Sequence, residues 1–142
     1  MEIRPATSGD WGWVLPLMKD VHKDAPYNHI DCKVEDMKRT FMTMTRSKTG
    51  LAIVVVDKKK KVHGLLMAQV VKNWWGARVA NELFTYSQAP RTTHRLIKQY
   101  KQWADEQKVD IATMVNTSGE NERYEKLISR MGFKKAGGAF LR

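Results

Sequence analysis

Three apolar segments in the middle of the chain follow one another so closely that they restrict the kind of sheet that can form. They span Leu51–Val56, Val62–Val71 and Val79–Tyr86, and the first is a compact β-branched run. The charged segment Lys58–Lys61 separates the first two, and Asn73–Ala77 separates the last two. Strands joined by such short turns pair antiparallel, because a parallel pair needs a crossover of roughly a dozen or more residues. The pattern therefore excludes a doubly wound parallel sheet and predicts a mixed sheet that is antiparallel in its middle.

The residues before this sheet predict one short strand and two helices. Glu2–Ala6 has the pattern of a strand, and Thr7 with Asp10 has the spacing of a capping box at a helix start. Apolar residues then recur with helical period within 11–21 and again within 34–44.

Helix and strand alternate after the third strand. The clearest helical period lies within Leu96–Ala104, a buried strand is predicted at Asp110–Val115, and a short helix lies within Tyr124–Met131. The last apolar segments, Phe133–Ala136 and Ala139–Leu141, predict a closing strand pair. The resulting order is β-α-α-β-β-β-α-β-α-β with a seventh strand at the end, an α/β fold in which helices flank one mixed sheet.

Length and composition limit the class of protein. With 142 residues the chain predicts a single domain over residues 1–142, and 42% hydrophobic and 28% charged residues are typical of a globular protein. No apolar run reaches the roughly 20 residues of a membrane span, and the start lacks a secretory h-region, so we expect a cytoplasmic protein with no membrane partner. The single cysteine, Cys32, excludes an internal disulfide framework. The net charge of +10 favours polyanionic partners or a solvated basic surface.

The predicted order of elements resembles the GNAT superfamily of acetyl-CoA-dependent N-acetyltransferases. The local sequences that carry the resemblance stand in the family's order: Ile3–Thr7 with Asp10, Asn81–Tyr86, Trp103–Ala104, Asp110–Val115, and Asn121 with Gly132–Lys134. Together they cover nearly the whole chain, and in detail the chain resembles the small members encoded by tailed bacteriophages. The resemblance implies a GNAT-like fold and transfer of an acetyl group from acetyl-CoA to an amine.

The family's cofactor loop follows its fourth strand, opens a helix and binds the CoA pyrophosphate through backbone N–H groups and the helix dipole. The corresponding segment here begins at Gln88, which fits the first position of the family's pattern. Arg91 and Thr93 stand where that pattern has small residues, which let phosphate approach the backbone closely. We expect the side chains of Arg91, Thr92 and Thr93 to supply contacts to phosphate instead.

The resemblance also implies where the rest of the cofactor binds. In the family the fourth strand diverges from the fifth, and the cofactor inserts between them. The backbone of Phe84, Thr85 and Tyr86 would therefore bind the pantetheine arm, with Asn116 opposite and Asn121 as a further contact.

Acetyl transfer to an amine requires a base, and an acid assists departure of the thiolate. Glu82 is the candidate base, because the family's fourth strand often carries a glutamate, and on a regular strand its side chain would share a face with Ala80 and Phe84. The family's usual acid is a tyrosine four residues before its Gly-Phe, where this chain has Ile128. Tyr124, one helical turn earlier, is the candidate acid, and aromatic packing against the sheet is its alternative role.

Several alternatives stay open at this stage. The acceptor amine is a protein lysine, a protein N-terminus or a small amine, and the basic charge favours an acidic acceptor or an acidic protein partner. A second hypothesis is a catalytically degenerate GNAT-fold protein that acts as a binding module for a protein or nucleic-acid partner. For Trp74–Trp75 we favour packing or a partner interface over base stacking, and without a helix-turn-helix or RNA-recognition signature we do not expect nucleic-acid binding. No metal site is expected, and a homodimer remains an option.

Overall fold

The computed structural model describes residues 1–25, 27–115, 122–137 and 142. Its strands are β1 Glu2–Pro5, β2 Gly50–Val56, β3 Val62–Lys72, β4 Arg78–Ser87 and β5 Ile111–Thr113. Its helices are α1 Trp11–Asp24, α2 Val34–Arg46, α3 Thr93–Glu106 and α4 Glu122–Arg130, with a short 3-10 turn at Ser8–Asp10 before α1. The predicted order of elements is confirmed from the first strand to the last helix. No helix within the described ranges is long and apolar enough to cross a membrane.

The five strands form one sheet in which each strand lies beside the next in sequence. β1, β2, β3 and β4 pair antiparallel, and β4 pairs with β5 in parallel. The predicted mixed sheet with an antiparallel middle is therefore confirmed. Helix α3 is the crossover that the parallel β4–β5 pair requires.

The sheet is covered on both faces, which explains why β2 is an unbroken β-branched run. Val54 packs into a core with Val14 of α1 and Phe41 of α2. Val55, its neighbour in β2, packs on the opposite face with Leu96 of α3. Since successive side chains of a strand point to opposite faces, a strand buried on both must be apolar throughout.

The predicted capping box of Thr7 and Asp10 is confirmed on the short 3-10 turn that leads into α1, and it carries an ion pair. Asp10 accepts the backbone N–H of Thr7 at 2.8 Å, and its two oxygens accept the Arg4 guanidinium at 2.8 and 2.9 Å. These hydrogen bonds, of which that from Arg4 is the strongest, lower the pKa of Asp10. The pair connects β1 to the first helical turn and so fixes where α1 begins over the sheet.

A β-bulge in β4 decides which side chains face which side of the sheet. Met67 of β3 pairs with Phe84 and the next residue, Ala68, pairs with Glu82, so Leu83 is an extra residue without a partner. Leu83 and Phe84 consequently both pack against the core under α1 and α2. The expectation that Phe84 shares a face with Glu82 is wrong, because it assumed a regular strand.

The closing strand pair is the part of the predicted fold that does not form as expected. Residues 133–137 are described and contain no strand, so the prediction of a strand at Phe133–Ala136 is wrong. Phe133 packs against the core under α3, whereas Lys134 and Lys135 are exposed. A single buried apolar side chain is not enough to make a short segment pair with the sheet. Ala139–Leu141 lies outside the described residues. The fifth strand is also shorter than expected, with Ile111–Thr113 in place of Asp110–Val115.

Candidate active site

A cleft opens where β4 and β5 stop pairing. The parallel pairing runs from Val79 with Ile111 to Asn81 with Thr113, whereas β4 continues to Ser87. Residues 82–87 of β4 therefore pair with β3 on one side and present an edge on the other that β5 does not fill. The cleft at this edge has a volume of about 540 Å³. It is lined by Asp20, Val21, Lys23, Asp24, Thr85, Tyr86, Ser87, Thr93, Val115 and Tyr124.

Glu82 lies behind the lining at the point where the two strands diverge. Its partner Ala68 belongs to the core under α3, so the Glu82 side chain faces that side of the sheet and is only 4% exposed. Burial raises the pKa of Glu82 to about 8, and weaker interactions with the Thr85 hydroxyl and the Val115 backbone partly oppose this rise. Among the described residues, Glu82 Oε2 and Thr85 Oγ1 have no hydrogen-bond partner of good geometry. A buried carboxyl with an unsatisfied oxygen is a candidate for proton transfer.

The bulge at Leu83 explains why Thr85 lies beside Glu82. Side chains three residues apart on a regular strand point to opposite faces. The extra residue shifts the alternation, and Thr85 pairs with Leu66, which packs under α3 as Ala68 does. Thr85 and Glu82 therefore share a face at the divergence of the strands.

Tyr124 of α4 reaches the same place from the opposite wall. It lines the cleft and is half-buried. Burial and then the negative charge of Glu82 raise the pKa of Tyr124, and the Thr85 hydroxyl opposes the rise. A phenol with a raised pKa keeps its proton at neutral pH, so Tyr124 presents an O–H group to the cleft. The structure thus brings together both sequence-predicted catalytic residues, Glu82 and Tyr124.

Tyr100 of α3 ties β4 to β5 at the vertex of the cleft. It is fully buried, and its hydroxyl donates to the carbonyl oxygens of Ala80 at 2.9 Å and Thr113 at 2.7 Å. The Thr113 hydroxyl lies 3.1 Å from Asn81 Oδ1, which strengthens the same junction. Burial, and secondly the charge of Glu82, raise the pKa of Tyr100, so this phenol stays protonated and keeps its donor.

Replacing Tyr100 with phenylalanine is expected to lower the free energy of unfolding by about 2 kcal/mol, because two buried carbonyl groups lose a shared donor while the ring still fills its space. Chemical denaturation measures the change. Tyr86→Phe is the matched control, since no hydrogen bond of its hydroxyl is found among the described residues, and it should change stability by less than about 0.5 kcal/mol. Equal effects of the two substitutions would contradict a specific role of the Tyr100 hydroxyl.

The segment before α3 contains one residue with a positive φ. Arg91 is exposed and has a φ of 63°, in the left-handed region that favours glycine. A cation thus stands at a backbone position whose conformation favours glycine. The Thr92 hydroxyl points inward, where it donates to Ala89 O at 2.7 Å and lies 2.6 Å from the Ser87 hydroxyl. Thr93 lines the cleft, and Gln88 is exposed with its amide 3.4 Å from Asp20 Oδ2.

Only some of the residues expected to contact the pantetheine arm line the cleft. Thr85 and Tyr86 line the cleft, whereas the Phe84 side chain packs on the α1 and α2 face and leaves only its backbone near the edge. Asn116 and Asn121 lie outside the described residues. The α1 wall of the cleft, with Asp20 and Asp24, was missed by the sequence analysis; their i, i+4 spacing was the available signal, but it is typical of any solvated helix face.

Comparison with known proteins supports the fold more than it defines the function. No family model and no curated protein matches the chain. Among solved structures, a probable acetyltransferase is similar over 100% of this chain and 97% of its own, with 20% identity and a TM-score of 0.74. An aminoglycoside 6'-N-acetyltransferase from Acinetobacter haemolyticus is similar over 100% of this chain and 97% of its own, with 14% identity and a TM-score of 0.74.

A ribosomal-protein-alanine N-acetyltransferase from Brucella melitensis is similar over 100% of this chain and 99% of its own, at 11% identity and a TM-score of 0.71. Identities this low establish a shared fold and leave the substrate of this chain open. The chain therefore has the GNAT-like fold of these N-acetyltransferases.

Proposed function

We propose that this protein is an acetyl-CoA-dependent N-acetyltransferase. The observation that carries the proposal is the cleft at the unpaired edge of β4, with the buried Glu82 carboxyl at its vertex and Tyr124 on its opposite wall. The fold shared with known N-acetyltransferases supports the same activity.

The residues present fit acetyl-CoA in two respects. From Phe84 to Tyr86 the β4 backbone pairs with β3 along one edge, and β5 does not pair with its other edge. The N–H and C=O groups on that other edge can bind the amides of a pantetheine arm. The first N–H groups of α3 have no intrahelical partner and, with the exposed Arg91 and Arg95 beside them, suit a pyrophosphate. Arg95 also donates to Met1 O at 3.2 Å, so Arg91 is the stronger candidate for phosphate.

Each polar side chain near the cleft then has a defined task. Acetyl-CoA, when bound, supplies an acyl thioester that an amine can attack. Glu82 accepts the proton that the amine loses, directly or through a water molecule, and a general base with a pKa of about 8 can exchange protons near neutral pH. Tyr124 holds a proton on its phenol oxygen at the cleft and can donate it to the departing sulfur. Tyr100 keeps the two strands at a fixed separation where Glu82 lies.

Calorimetric titration with acetyl-CoA tests the proposal, and we expect micromolar binding. Arg91→Glu should weaken it about 10-fold or more, because a carboxylate then replaces a cation at the pyrophosphate. Lys108→Glu is the matched control: Lys108 is exposed, also has a positive φ, 54°, and follows the opposite end of α3. The affinity of the Lys108→Glu variant for acetyl-CoA should stay within twofold of the native value.

The absence of binding at millimolar acetyl-CoA would refute the transferase and leave a GNAT-shaped binding protein as the better account. A loss of affinity as large in Lys108→Glu as in Arg91→Glu would refute the assignment of Arg91 to the pyrophosphate.

A further inference from the structure

The α1 wall of the cleft is acidic in a chain that is otherwise strongly basic. Asp20 and Asp24 both line the cleft, and they are four residues apart on α1. This spacing places them on one helix face with Cβ atoms roughly 5–6 Å apart. Among the described residues that line the cleft, Lys23 is the single cation, so two carboxylates oppose one ammonium there, while the net charge of the whole chain is +10.

A second and independent feature also calls for a donor in the same cleft. Glu82 is 4% exposed, and its Oε2 has no hydrogen-bond partner among the described residues. Two polar groups that interact with this carboxyl, the Thr85 hydroxyl and the Val115 backbone, belong to residues that line the cleft. A buried acceptor without a partner costs free energy, and a ligand that brings N–H groups removes that cost.

The carboxylates and the cations around the cleft belong to different helices. Arg91 and Arg95 lie at the start of α3, which covers one face of the sheet. Asp20 and Asp24 lie at the end of α1, which covers the other face. The carboxylates reach the loop before α3, since Asp20 Oδ2 lies 3.4 Å from the Gln88 amide. Asp20 and Asp24 attract cations and repel an acidic acceptor, whereas Arg91 and Arg95 favour a polyanion.

We propose that the acceptor is a small aliphatic amine with at least two positive charges, with one ammonium held by Asp20 and Asp24 and a second nitrogen directed towards Glu82. This inference rests on the proposed acetyl transfer and names its substrate class. In the reaction the reacting nitrogen forms a bond to the acetyl carbon, and the carbon–sulfur bond breaks with its electron pair on sulfur. The proton lost by nitrogen passes to Glu82, and the thiolate takes up a proton from Tyr124 or water.

Calorimetric titration of the protein with spermidine, without acetyl-CoA, tests the cation site by itself. We expect measurable binding that weakens at high salt, because the contacts are between charges near the surface. The double variant Asp20→Asn/Asp24→Asn should bind spermidine at least about 10-fold more weakly than the native protein. The control Asp31→Asn/Asp105→Asn makes the same charge change at two exposed residues that do not line the cleft, and it should stay within twofold.

Three further probes define the chemistry that the cleft recognises. Butylamine, with one charge, should bind more weakly than spermidine, and an acidic tetrapeptide should not bind. A lysyl-lysine amide distinguishes a free polyamine from a lysine side chain, since comparable binding of both means that the cleft recognises the paired charges and not the polyamine chain. Equal spermidine affinities in the double variant and its control would overturn the proposal, as would tighter binding of the acidic peptide.

The failure of this inference is separable from the failure of acetyl transfer. Acetyl-CoA is titrated into the same variants. In one outcome the native protein binds acetyl-CoA and yet binds spermidine no more tightly than the double variant. This result would overturn the proposed acceptor class and would leave the proposed acetyl transfer intact. Native protein that binds spermidine through Asp20 and Asp24 but does not bind acetyl-CoA overturns the transferase and establishes a cation site.

Discussion

Glu82→Gln is expected to be more stable than the native protein at pH 9 and to differ little from it at pH 5. Burial raises the pKa of Glu82 from 4.5 to about 8, so the folded state keeps a proton that the unfolded state loses above about pH 4.5. Native stability therefore falls as pH rises through this window, by roughly 5 kcal/mol from this group, and levels off above about pH 8. Glutamine has no proton to lose and avoids that fall.

Urea denaturation at pH 5, 7 and 9 measures this difference. Glu106→Gln, at an exposed position of α3, is the control and should follow the native pH dependence. A stability difference between Glu82→Gln and the native protein that does not change with pH would show that the Glu82 carboxyl is not kept protonated by burial.

The same ionisation should appear in catalysis. With acetyl-CoA and spermidine, the native rate is expected to rise with pH and to level off above about pH 8, because only the deprotonated carboxyl accepts a proton. Glu82→Gln should be about 100-fold slower at pH 8 and should lack this inflection. A variant with native rate and native pH profile would remove Glu82 from the chemistry.

Deletion of Leu83 is expected to reduce acetyl-CoA affinity about 100-fold while the sheet still folds. The bulge leaves Leu83 without a cross-strand partner, so its deletion lets Glu82 and Phe84 follow each other as regular neighbours opposite Ala68 and Met67. The other side chains of β4 keep their faces. A bulge bends the strand that carries it. The pairing of β4 with β5 ends at Asn81, two residues before the bulge at Leu83. A straightened β4 would continue alongside β5 and close the edge that the cofactor needs.

Leu83→Ala is the matched control, because it removes the side chain and retains the extra residue. Leu83 packs against the α1 and α2 core as a partly buried residue, so this variant should lose about 1–2 kcal/mol of stability and keep its acetyl-CoA affinity. Calorimetry gives the affinities, and circular dichroism confirms that the deletion variant folds. Equal affinities of the deletion variant and Leu83→Ala would show that the bulge does not hold the cleft open.

The order of elements was predictable because it depends on local periodicity. The β-branched run of β2 and the apolar stripe of α3 each carry enough signal to define an element without tertiary context. Phe133–Ala136 was predicted wrongly because strand formation there depends on pairing, which a short segment with two lysines does not specify. Trp74, expected to pack or to contact a partner, is 95% exposed, which excludes packing within the described part of the chain.

The sequence named only some of the residues around the cleft, and it did not predict their geometry. Glu82 and Tyr124 were identified from the resemblance, and the structure places both at the cleft. The face that Phe84 occupies was not predictable, because a bulge follows from register with β3 and leaves no mark in the alternation of β4 itself. Asn116, Asn121 and the likeness to the small bacteriophage members stay predictions.

The shortness of β5 has a consequence for the order in which the molecule opens. Only Ile111–Thr113 joins β4, and Ile111 is 41% exposed, whereas β3 pairs with β4 along nearly its full length. Amide protons of β5 should therefore exchange with solvent through local opening at a lower free energy than those of β2 and β3. Because the cofactor would lie against this strand, its binding should slow exchange at β5 first. The shortest strand of the sheet is thus the one whose protection reports most directly on ligand.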